Sequence, residues 1–507
     1  MKVPYFLSHA KTLSLGLMIF ALSWILPAHA SPETLTILFT GDTHNRLEPF
    51  FHTELEKSVS GVVRRARYFE QVRQQNPRTL ILDAGDVFQG TPYYNFYLGE
   101  PDIKAMGLMR YDAMTVGNHE LDNGMLNLRT QVQFAQFPVL NANIVDEKTG
   151  LLVFRPFHIF NVHGIRVAVL GLMSEHSWKA IAGEQKKGYT LKDPFETAQE
   201  LVPQLRQQAD LVISLHHMGI WDDEVFPQKV ADVDLVLGGH SHTLMPQAKL
   251  IKNNNQNGLG GTLVQHAYYQ GVYVGRIDLT LDARKKISDY HSELVLLDAR
   301  FDPEPLKEIL NTYGGKLKTD MDQVIGEATD HLSVANKFDG PFPMGSVMAD
   351  ILRESQNTEV GIMNSGGVRS AIPRGPITVR SIYEIMPFDN SVVRFKLEGE
   401  DLQEIVEASA ARLGKSKTLQ FSGLTFTVKG KKVTAITING KALDPDRMYT
   451  VAAPDYVFKG NEDISFEEAE DAVMTGLLLR DVIIEYVRKH KQIDPPQDTR
   501  MLRIDTK

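Results

Sequence analysis

Short apolar runs that end in turns rich in glycine, aspartate or histidine recur through the first half of the chain. Continuous apolar runs of this kind predict strands that are buried on both faces, and helical patterns lie between them. Roughly the first 270 residues are therefore predicted to form a layered α/β domain whose functional groups lie at the strand ends. The runs are Leu35–Phe39, Leu80–Leu82, Val167–Leu170, Leu211–Leu215 and Val233–Leu237, and the helical patterns are Val62–Gln74 and Pro194–Gln208.

The chain has 507 residues, which is too long for one compact core and predicts two domains. After Leu297 the pattern changes, because Pro303 and Pro305 open a polar, lysine-rich stretch that favours a helix to about Asp322. We predict a first domain over 31–300, a connector helix over 301–325 and a second domain over 326–507. The second domain mixes predicted helices, such as Gly345–Glu354, with strands, and is expected to be α+β.

The first thirty residues have the pattern of a secretory signal. Lys2 and Lys11 precede an apolar run from Leu13 to Leu26, and Ala28-His29-Ala30 stands before Ser31 as a cleavage sequence. Residues 1–30 are therefore predicted to be a signal peptide, with an uncleaved membrane anchor as the alternative. We expect a periplasmic or secreted protein with no membrane span once the signal is removed.

Composition restricts the chemistry that the chain can perform. With 54 Lys and Arg against 63 Asp and Glu, the net charge of −9 argues against a nucleic acid polymer as partner. The absence of cysteine excludes disulfides, a cysteine zinc site and a thiol nucleophile. Any metal must therefore be held by His, Asp, Glu or Asn.

Residues of these types follow the predicted strands. Taken singly, each is explained as a hydrogen-bonded loop residue, but several such clusters at converging strand ends suit two divalent cations that share a carboxylate. Either His216 or His217 can supply the ligand at the fourth position. The clusters are Asp42 with His44, Asp86, Asn118-His119-Glu120 with Asp122, His216-His217, and His240 with His242.

The order of these clusters is similar to that of the calcineurin-like metallophosphoesterases. The segments Leu82–Asp86 and Gly117–Glu120, with the residues around them, resemble the 5'-nucleotidase family, and in particular its bacterial periplasmic 5'-nucleotidase and UDP-sugar hydrolase branch. Asn364–Arg369 and Met386–Asn390 resemble that family's C-terminal substrate domain. The resemblance implies a four-layer αββα domain followed by an α+β substrate-binding domain.

The resemblance also implies roles for individual residues. His217 is preferred to His216 as a ligand because it stands directly before Met218-Gly219. Two divalent ions are implied, and their identity stays open among Zn, Mn, Co and Mg. The first ion would be held by Asp42, His44, Asp86 and His242; the second by Asp86, Asn118, His217 and His240; the catalytic pair would be His119 and Asp122; the substrate residues would be Asn364, Gly367, Arg369 and Asn390.

The implied activity is hydrolysis of a small phosphoester by metal-activated water, with nucleoside 5'-phosphates and possibly UDP-sugars as substrates. The alternatives are another substrate of the superfamily (a 2',3'-cyclic nucleotide, a sulfur ester or a non-nucleotide phosphoester) and a non-catalytic binding relative. The family holds a nucleobase between two aromatic rings, which are sought near Thr418-Leu419-Gln420 and in Lys459–Asp463. Neither place has a ring, which leaves Tyr456, Phe458 and Phe466 as candidates.

Overall fold

The computed structural model describes residues 33–52, 55–302, 307–497 and 499–504. The predicted signal peptide, residues 1–30, lies outside the described residues. None of the helices within those ranges is long and apolar enough to cross a membrane.

Two six-stranded sheets form the first domain. Each predicted apolar run is a strand, and most of these strands are buried along their length. In spatial order the first sheet contains Ile287–Leu296, Tyr273–Leu281, Glu33–Thr40, Thr79–Asp83, Ala113–Thr115 and Val139–Leu140. In the same order the second contains Lys249–Lys252, Gly261–His266, Leu235–Gly238, Leu211–His217, Ile165–Met173 and Phe157–Val162.

The two sheets pack face to face and helices cover their outer surfaces. Ile37 and Phe39 of the first sheet share one apolar cluster with Val167 and Ile213 of the second. The predicted four-layer αββα arrangement is therefore confirmed. The helices against the first sheet are Val62–Gln75, Pro92–Tyr97, Glu100–Leu108 and Gly124–Gln131, and Trp178 of the short helix Glu175–Ala180 packs against the same cluster. The helices on the side of the second sheet are Pro194–Arg206, Ile220–Asp223 and Phe226–Lys229.

The second domain is α+β, as expected. Its central sheet contains Leu419–Ser422, Val360–Asn364, Met448–Pro454, Ser391–Glu398 and Glu470–Leu478. Two smaller sheets contain Gly375–Thr378, Val324–Ala328 and Gln492–Ile493, and Lys441–Ala442, Lys432–Ile438, Leu424–Lys429 and Met501–Ile504. The helices are Pro343–Gln356, Val379–Ile385, Gly399–Ala411, Asp455–Phe458 and Leu479–His490.

A helix over Lys307–Met321 lies between the two domains in the chain. It packs on the first domain, where the Tyr313 hydroxyl donates to Glu100 at 2.8 Å. The domains also meet directly, because Arg46 pairs with Glu384 at 2.9 Å and the Asn95 amide donates to Pro387 O at 2.7 Å. These contacts bring the strand ends of the first domain against loops of the second.

Candidate dinuclear metal centre

The predicted ligand residues converge where the strands of both sheets end. Several of them have a backbone φ between +48° and +77°, a region that residues other than glycine rarely adopt. Tight turns with this conformation direct the side chains into one space. At Gly117 a Cβ atom would lie 2.3 Å from Asp86 Oδ1, so only glycine allows these two loops to approach. The residues with positive φ are Asp42, His44, Asp86, His240 and His242.

One group of potential metal ligands contains Asp42, His44 and His242, whose ligand atoms all lie within 4.8 Å of one another. The Nε2 atoms of His44 and His242 are 3.0 Å apart, and His242 Nε2 is 3.8 Å from Asp42 Oδ1. The sequence predicts all three for the first ion.

A second group contains Asp86, His217 and His240. His217 Nε2 lies 3.2 Å from Asp86 Oδ2. The Asn118 Oδ1 atom is 3.1 Å from His217 Nε2 and 2.8 Å from His240 Nδ1. Asp86 also forms a group with His44 on the side of the first cluster, and therefore stands between the two.

The protonation pattern of the histidines fits divalent cations. His44 Nδ1 and His217 Nδ1 face the carbonyl oxygens of Gln89 and Ala84, at 3.2 and 2.8 Å, and a ring nitrogen that faces a carbonyl carries the proton. The opposite nitrogens, which face the clusters, then have the free lone pair that a metal ligand needs. Metal–nitrogen bonds near 2.1 Å also place neighbouring ligands roughly 3 Å apart, as here.

The electrostatics of the clusters agree with this assignment. Burial lowers the pKa of His44 well below its usual value, and the nearby Arg369 lowers it further, so this imidazole is neutral. Burial opposes a charge on His217 as well, but the carboxylates of Asp86 and Asp42 raise its pKa to about 10. Without a cation, His217 would therefore also hold a proton on Nε2, and the same negative potential would favour a divalent cation in the place of that proton.

His119 and Asp122 form a hydrogen-bonded pair beside these clusters. His119 Nδ1 is 2.8 Å from Asp122 Oδ2, and the backbone N–H of His119 donates to Asp86 Oδ1 at 2.8 Å. Burial lowers the pKa of His119, but the carboxylates of Asp122 and Asp86 outweigh it and raise the pKa above the ordinary value. The two carboxylates thereby favour the cationic form of this imidazole.

The structure separates the two adjacent histidines. His217 faces Asp86 and Asn118, whereas His216 lies on the opposite side of the strand, where its ring contacts Ser214 and Asp223. Successive side chains of a strand point to opposite faces, so only one of the pair can reach the clusters.

Glu120 has a role that the sequence reasoning missed. Its carboxylate accepts hydrogen bonds from the backbone N–H groups of Asp86, Val87, Phe88 and Gly117, at 2.6 to 3.1 Å. It thus joins the loop that carries Asp86 to the loop that carries Asn118. Its place in the sequence beside His119 marked it as part of a motif but did not indicate this function.

Residues of the second domain face the clusters from across the cleft. Arg369 Nη2 lies 3.4 Å from His44 Nε2 and 3.5 Å from His119 Nε2. Lys337, which the sequence did not single out, lies beside Arg369, and its Nζ donates to Val368 O at 3.4 Å. Burial and the charge of Arg369 lower the pKa of Lys337 to about 7.

The other predicted substrate residues line the second domain. The Asn364 amide donates to Glu462 Oε1 at 2.7 Å, and its Oδ1 is buried without a hydrogen-bond partner among the described residues. A Cβ at Gly367 would lie 2.6 Å from that oxygen, so glycine keeps the space around Asn364 open. Asn390 is half-buried, and its backbone carbonyl accepts from the Leu479 N–H at 2.8 Å.

The aromatic ring near the cleft is not at either of the positions where the family resemblance places the base clamp. Leu419 and Gln420 belong to a buried strand, and Phe458 and Phe466 pack against Phe395 in the core. Phe388, by contrast, lies 6.1 Å from the ring of His119.

Tyr456, another sequence candidate for the clamp, is partly buried and packs against the same core cluster as Phe458 and Phe466. Burial and the carboxylates of Glu462 and Asp122 raise its pKa. Phe388 stands inside the Met386–Asn390 segment, and the sequence of that segment does not indicate where its ring lies.

The fold and the clustered ligands define a metal-dependent phosphoester hydrolase. Residues 35–244 match the family model for the calcineurin-like phosphoesterases, and residues 324–468 match that for the 5'-nucleotidase C-terminal domain. The chain therefore contains, in this order, a domain that matches the calcineurin-like phosphoesterases and a domain that matches the 5'-nucleotidase C-terminal domain.

Relatives with the same two domains span almost the whole chain. A 5'-nucleotidase of Vibrio cholerae is 29% identical over 91% of each chain. The crystal structure of a 5'-nucleotidase precursor of Thermus thermophilus superposes with a TM-score of 0.85 at 28% identity, over 94% of this chain and 100% of that one. A Thermus sulfate thiohydrolase has a TM-score of 0.81 at 17% identity, over 93% and 96% of the two chains, which shows a shared fold alone.

Proposed function

We propose that this protein hydrolyses nucleoside 5'-phosphates at two divalent ions, one held by Asp42, His44, Asp86 and His242 and the other by Asp86, Asn118, His217 and His240. The observation that carries the proposal is the position of Arg369. This arginine belongs to the second domain, yet it lies within 3.5 Å of His44 and His119 of the first. A small anion between the domains would touch both.

Different residues of the cleft would contribute differently to hydrolysis. Bound divalent ions neutralise phosphate oxygens and lower the pKa of water to near neutrality. His119, kept cationic by Asp122, opposes the charge that develops on the phosphoryl group, and Asp122 fixes the orientation of the ring. Arg369 and Lys337 bind the non-bridging oxygens from the opposite side. None of these steps requires a covalent phosphoenzyme.

The second domain supplies the surface that would select a nucleoside. Phe388 presents a ring next to His119, so a planar base can stack against it, and Tyr456, whose pKa the charge of Asp122 helps to raise, would supply a second ring. The unpaired Asn364 Oδ1 is an acceptor for a ribose hydroxyl, because a buried acceptor without a partner is costly to leave unpaired. The 5'-nucleotidases among its relatives support the same substrate class.

Two further parts of the proposal rest on the sequence. The signal pattern in residues 1–30 supports export to the periplasm or secretion. UDP-sugars would be second substrates, and a connector over 301–325 between domains 31–300 and 326–507 would carry the second domain. No nucleic acid polymer is expected to bind.

A substrate panel tests the proposal. The chain without residues 1–30, loaded with Mn²⁺, Zn²⁺, Co²⁺ or Mg²⁺, is assayed with AMP, UMP, UDP-glucose, 2',3'-cyclic AMP, ribose 5-phosphate and p-nitrophenyl phosphate. We expect kcat/KM for 5'-mononucleotides to exceed that for ribose 5-phosphate at least tenfold. In His119→Ala, kcat should fall roughly 10²–10³-fold, close to the background rate of the assay. A preference for the cyclic nucleotide or for p-nitrophenyl phosphate would contradict the nucleotidase proposal while leaving the hydrolase class intact.

A further inference from the structure

A second group of polar side chains lies directly behind the metal-facing histidines, inside the first domain. His216 Nδ1 is 2.7 Å from Asp223 Oδ1, and His266 Nε2 is 2.8 Å from Asp223 Oδ2. Ser214 Oγ is 2.6 Å from His216 Nε2. We call Ser214, His216, Asp223 and His266 the Asp223 cluster; all four are at most 1% exposed.

The order of contacts within the Asp223 cluster resembles a Ser-His-Asp nucleophile triad, but its burial excludes that role. A nucleophile must reach the substrate, and Ser214 is 0% exposed. The contacts instead describe an ionised carboxylate that accepts one N–H from each imidazole. His216 then accepts from the Ser214 hydroxyl, and His266 Nδ1 has no partner among the described residues.

The Asp223 cluster touches the segments that carry the proposed ligands of the second ion. His216 immediately precedes His217, and its carbonyl accepts from the Gly239 N–H at 3.0 Å, next to His240. The Gly239 carbonyl in turn accepts from the Gly219 N–H at 3.1 Å. Through His216 and His266, Asp223 joins the strands Leu211–His217 and Gly261–His266, which flank the strand Leu235–Gly238 that leads to His240.

Gly238 shows how closely the cluster fits this loop. A Cβ atom there would lie 2.0 Å from Asp223 Oδ2 and 2.3 Å from His266 Nε2. The backbone that leads to His240 therefore rests directly on the cluster. Of the proposed ligands of the first ion, Asp42 and His44 come from the other sheet and make no hydrogen bond to the cluster among the described residues, whereas His242 follows His240 on the same loop.

We propose that the Asp223 cluster is a positioning device for the second metal ion: it fixes His217 and His240 in the geometry that binds the ion. This inference rests on the proposed metal-binding function. The cluster does not touch substrate, and it acts through the two strand ends that it joins. Groups behind the ligands of a metal commonly change its affinity 10- to 100-fold, roughly, when they are lost.

Mn²⁺ titration, followed by the electron paramagnetic resonance signal of the free ion, tests the proposal in the full mature chain. We expect Asp223→Leu to raise one of two dissociation constants by roughly 10- to 100-fold and to leave the other within about threefold. Asp223→Asn should lose less, because His266 can change tautomer and accept from the new amide. The loss should vanish in an Asn118→Ala background and persist in a His44→Ala background.

Asp234 provides a matched control, because it is another fully buried carboxylate of the first domain and stands directly before the strand Leu235–Gly238 that leads to His240. It accepts from Arg206 at 2.6 Å and from the Val212 N–H at 2.7 Å, at the end of the strand opposite to His240. Asp234→Leu should lower the melting temperature without changing either dissociation constant. An equal loss of affinity in this control would overturn the proposal.

The remaining outcomes are also decisive. If Asp223→Leu does not fold, Asp223→Asn supplies the measurement, and wild-type affinity for both ions in that variant overturns the inference. A wild-type chain that binds no Mn²⁺ would instead contradict the proposed metal centre itself. The two failures are therefore distinguishable.

Discussion

The functional side chains on the metal-facing half of the cleft are held by groups of their own domain, whereas Arg369 on the substrate-facing half reaches across to the other domain. His217 donates to Ala84 O, and Glu120 holds the backbone of Asp86. Arg369, by contrast, makes its contacts with His44 and His119 of the opposite domain. One half is a rigid scaffold, and the other depends on how the two domains meet.

This difference separates chemistry from selectivity. Ligands held by redundant hydrogen bonds keep their geometry whatever the substrate, because their positions do not depend on the second domain. Loops of the second domain can change ring and charge positions without disturbing the ions. We therefore expect variants on the metal-facing half to lose turnover for every substrate, and variants on the other half to change the preference among substrates.

The largest effect is expected for Asp86→Ala, since Asp86 lies between the two groups of ligands. Loss of a shared carboxylate should release metal and reduce kcat/KM about a thousandfold or more for all phosphoesters. Metal content by atomic emission, measured with the activity, checks this. Two tightly bound ions in the variant would show that Asp86 is not shared.

The next effect separates charge stabilisation from metal binding. His119→Ala should lower kcat by roughly 10²–10³-fold while both ions remain, because one group that opposes developing charge is removed. Asp122→Asn should have a smaller effect of the same kind. Loss of metal along with activity in His119→Ala would place this residue among the ligands instead.

On the substrate-facing half, Phe388→Ala should weaken use of nucleotides but not of base-free substrates. Stacking is worth about 1–3 kcal/mol for each base, so kcat/KM for AMP should fall roughly 5- to 150-fold. The value for ribose 5-phosphate should be unchanged. Phe458→Ala, which removes a core ring of the same domain, is the control and should preserve the ratio between the two substrates.

Locking the domains tests whether the two halves must separate during turnover, and we expect the connector near Asp302–Asp322 to act as the hinge of that motion. The rings of Phe96 and Tyr383 stack across the interface with centroids 6.1 Å apart. Because the chain has no cysteine, a double variant with Phe96→Cys and Tyr383→Cys can be cross-linked without background. We expect about tenfold slower steady-state turnover, restored by reduction. Unchanged turnover after complete cross-linking would indicate a fixed cleft.

The smallest effect concerns Lys337, whose pKa is lowered to about 7 by burial and by Arg369. Lys337 is charged below that pH and neutral above it, so its contribution to binding an anionic competitor should be lost as pH rises through 7. The Lys337→Arg variant stays charged over this pH range, so it should not lose anion binding as pH rises through 7. Inhibition by a non-hydrolysable nucleotide analogue should weaken about threefold more in wild type than in the variant between pH 6 and 8. Parallel profiles would show that Lys337 does not meet the anion.

Local patterns predicted most of the scaffold. The apolar runs before Asp42, Asp86 and His217 predicted buried strands and their ends. They could do so because the burial of a strand and its end both depend on residues that are neighbours in the chain. The helical pattern at Val62–Gln74 is likewise a helix, Val62–Gln75. Contacts between distant segments could not be predicted: that Glu120 binds the Asp86 loop depends on two strands lying side by side.

Sequence alone determined the fold class, the types of ligand available and their place at strand ends, because these follow from composition and short-range periodicity. Tertiary structure decided which of His216 and His217 faces the clusters, that Lys337 stands beside Arg369, and that Phe388 lies against His119. These outcomes depend on the alternation of a strand within a finished sheet and on the docking of two domains. Neither is set by residues that are neighbours in the chain.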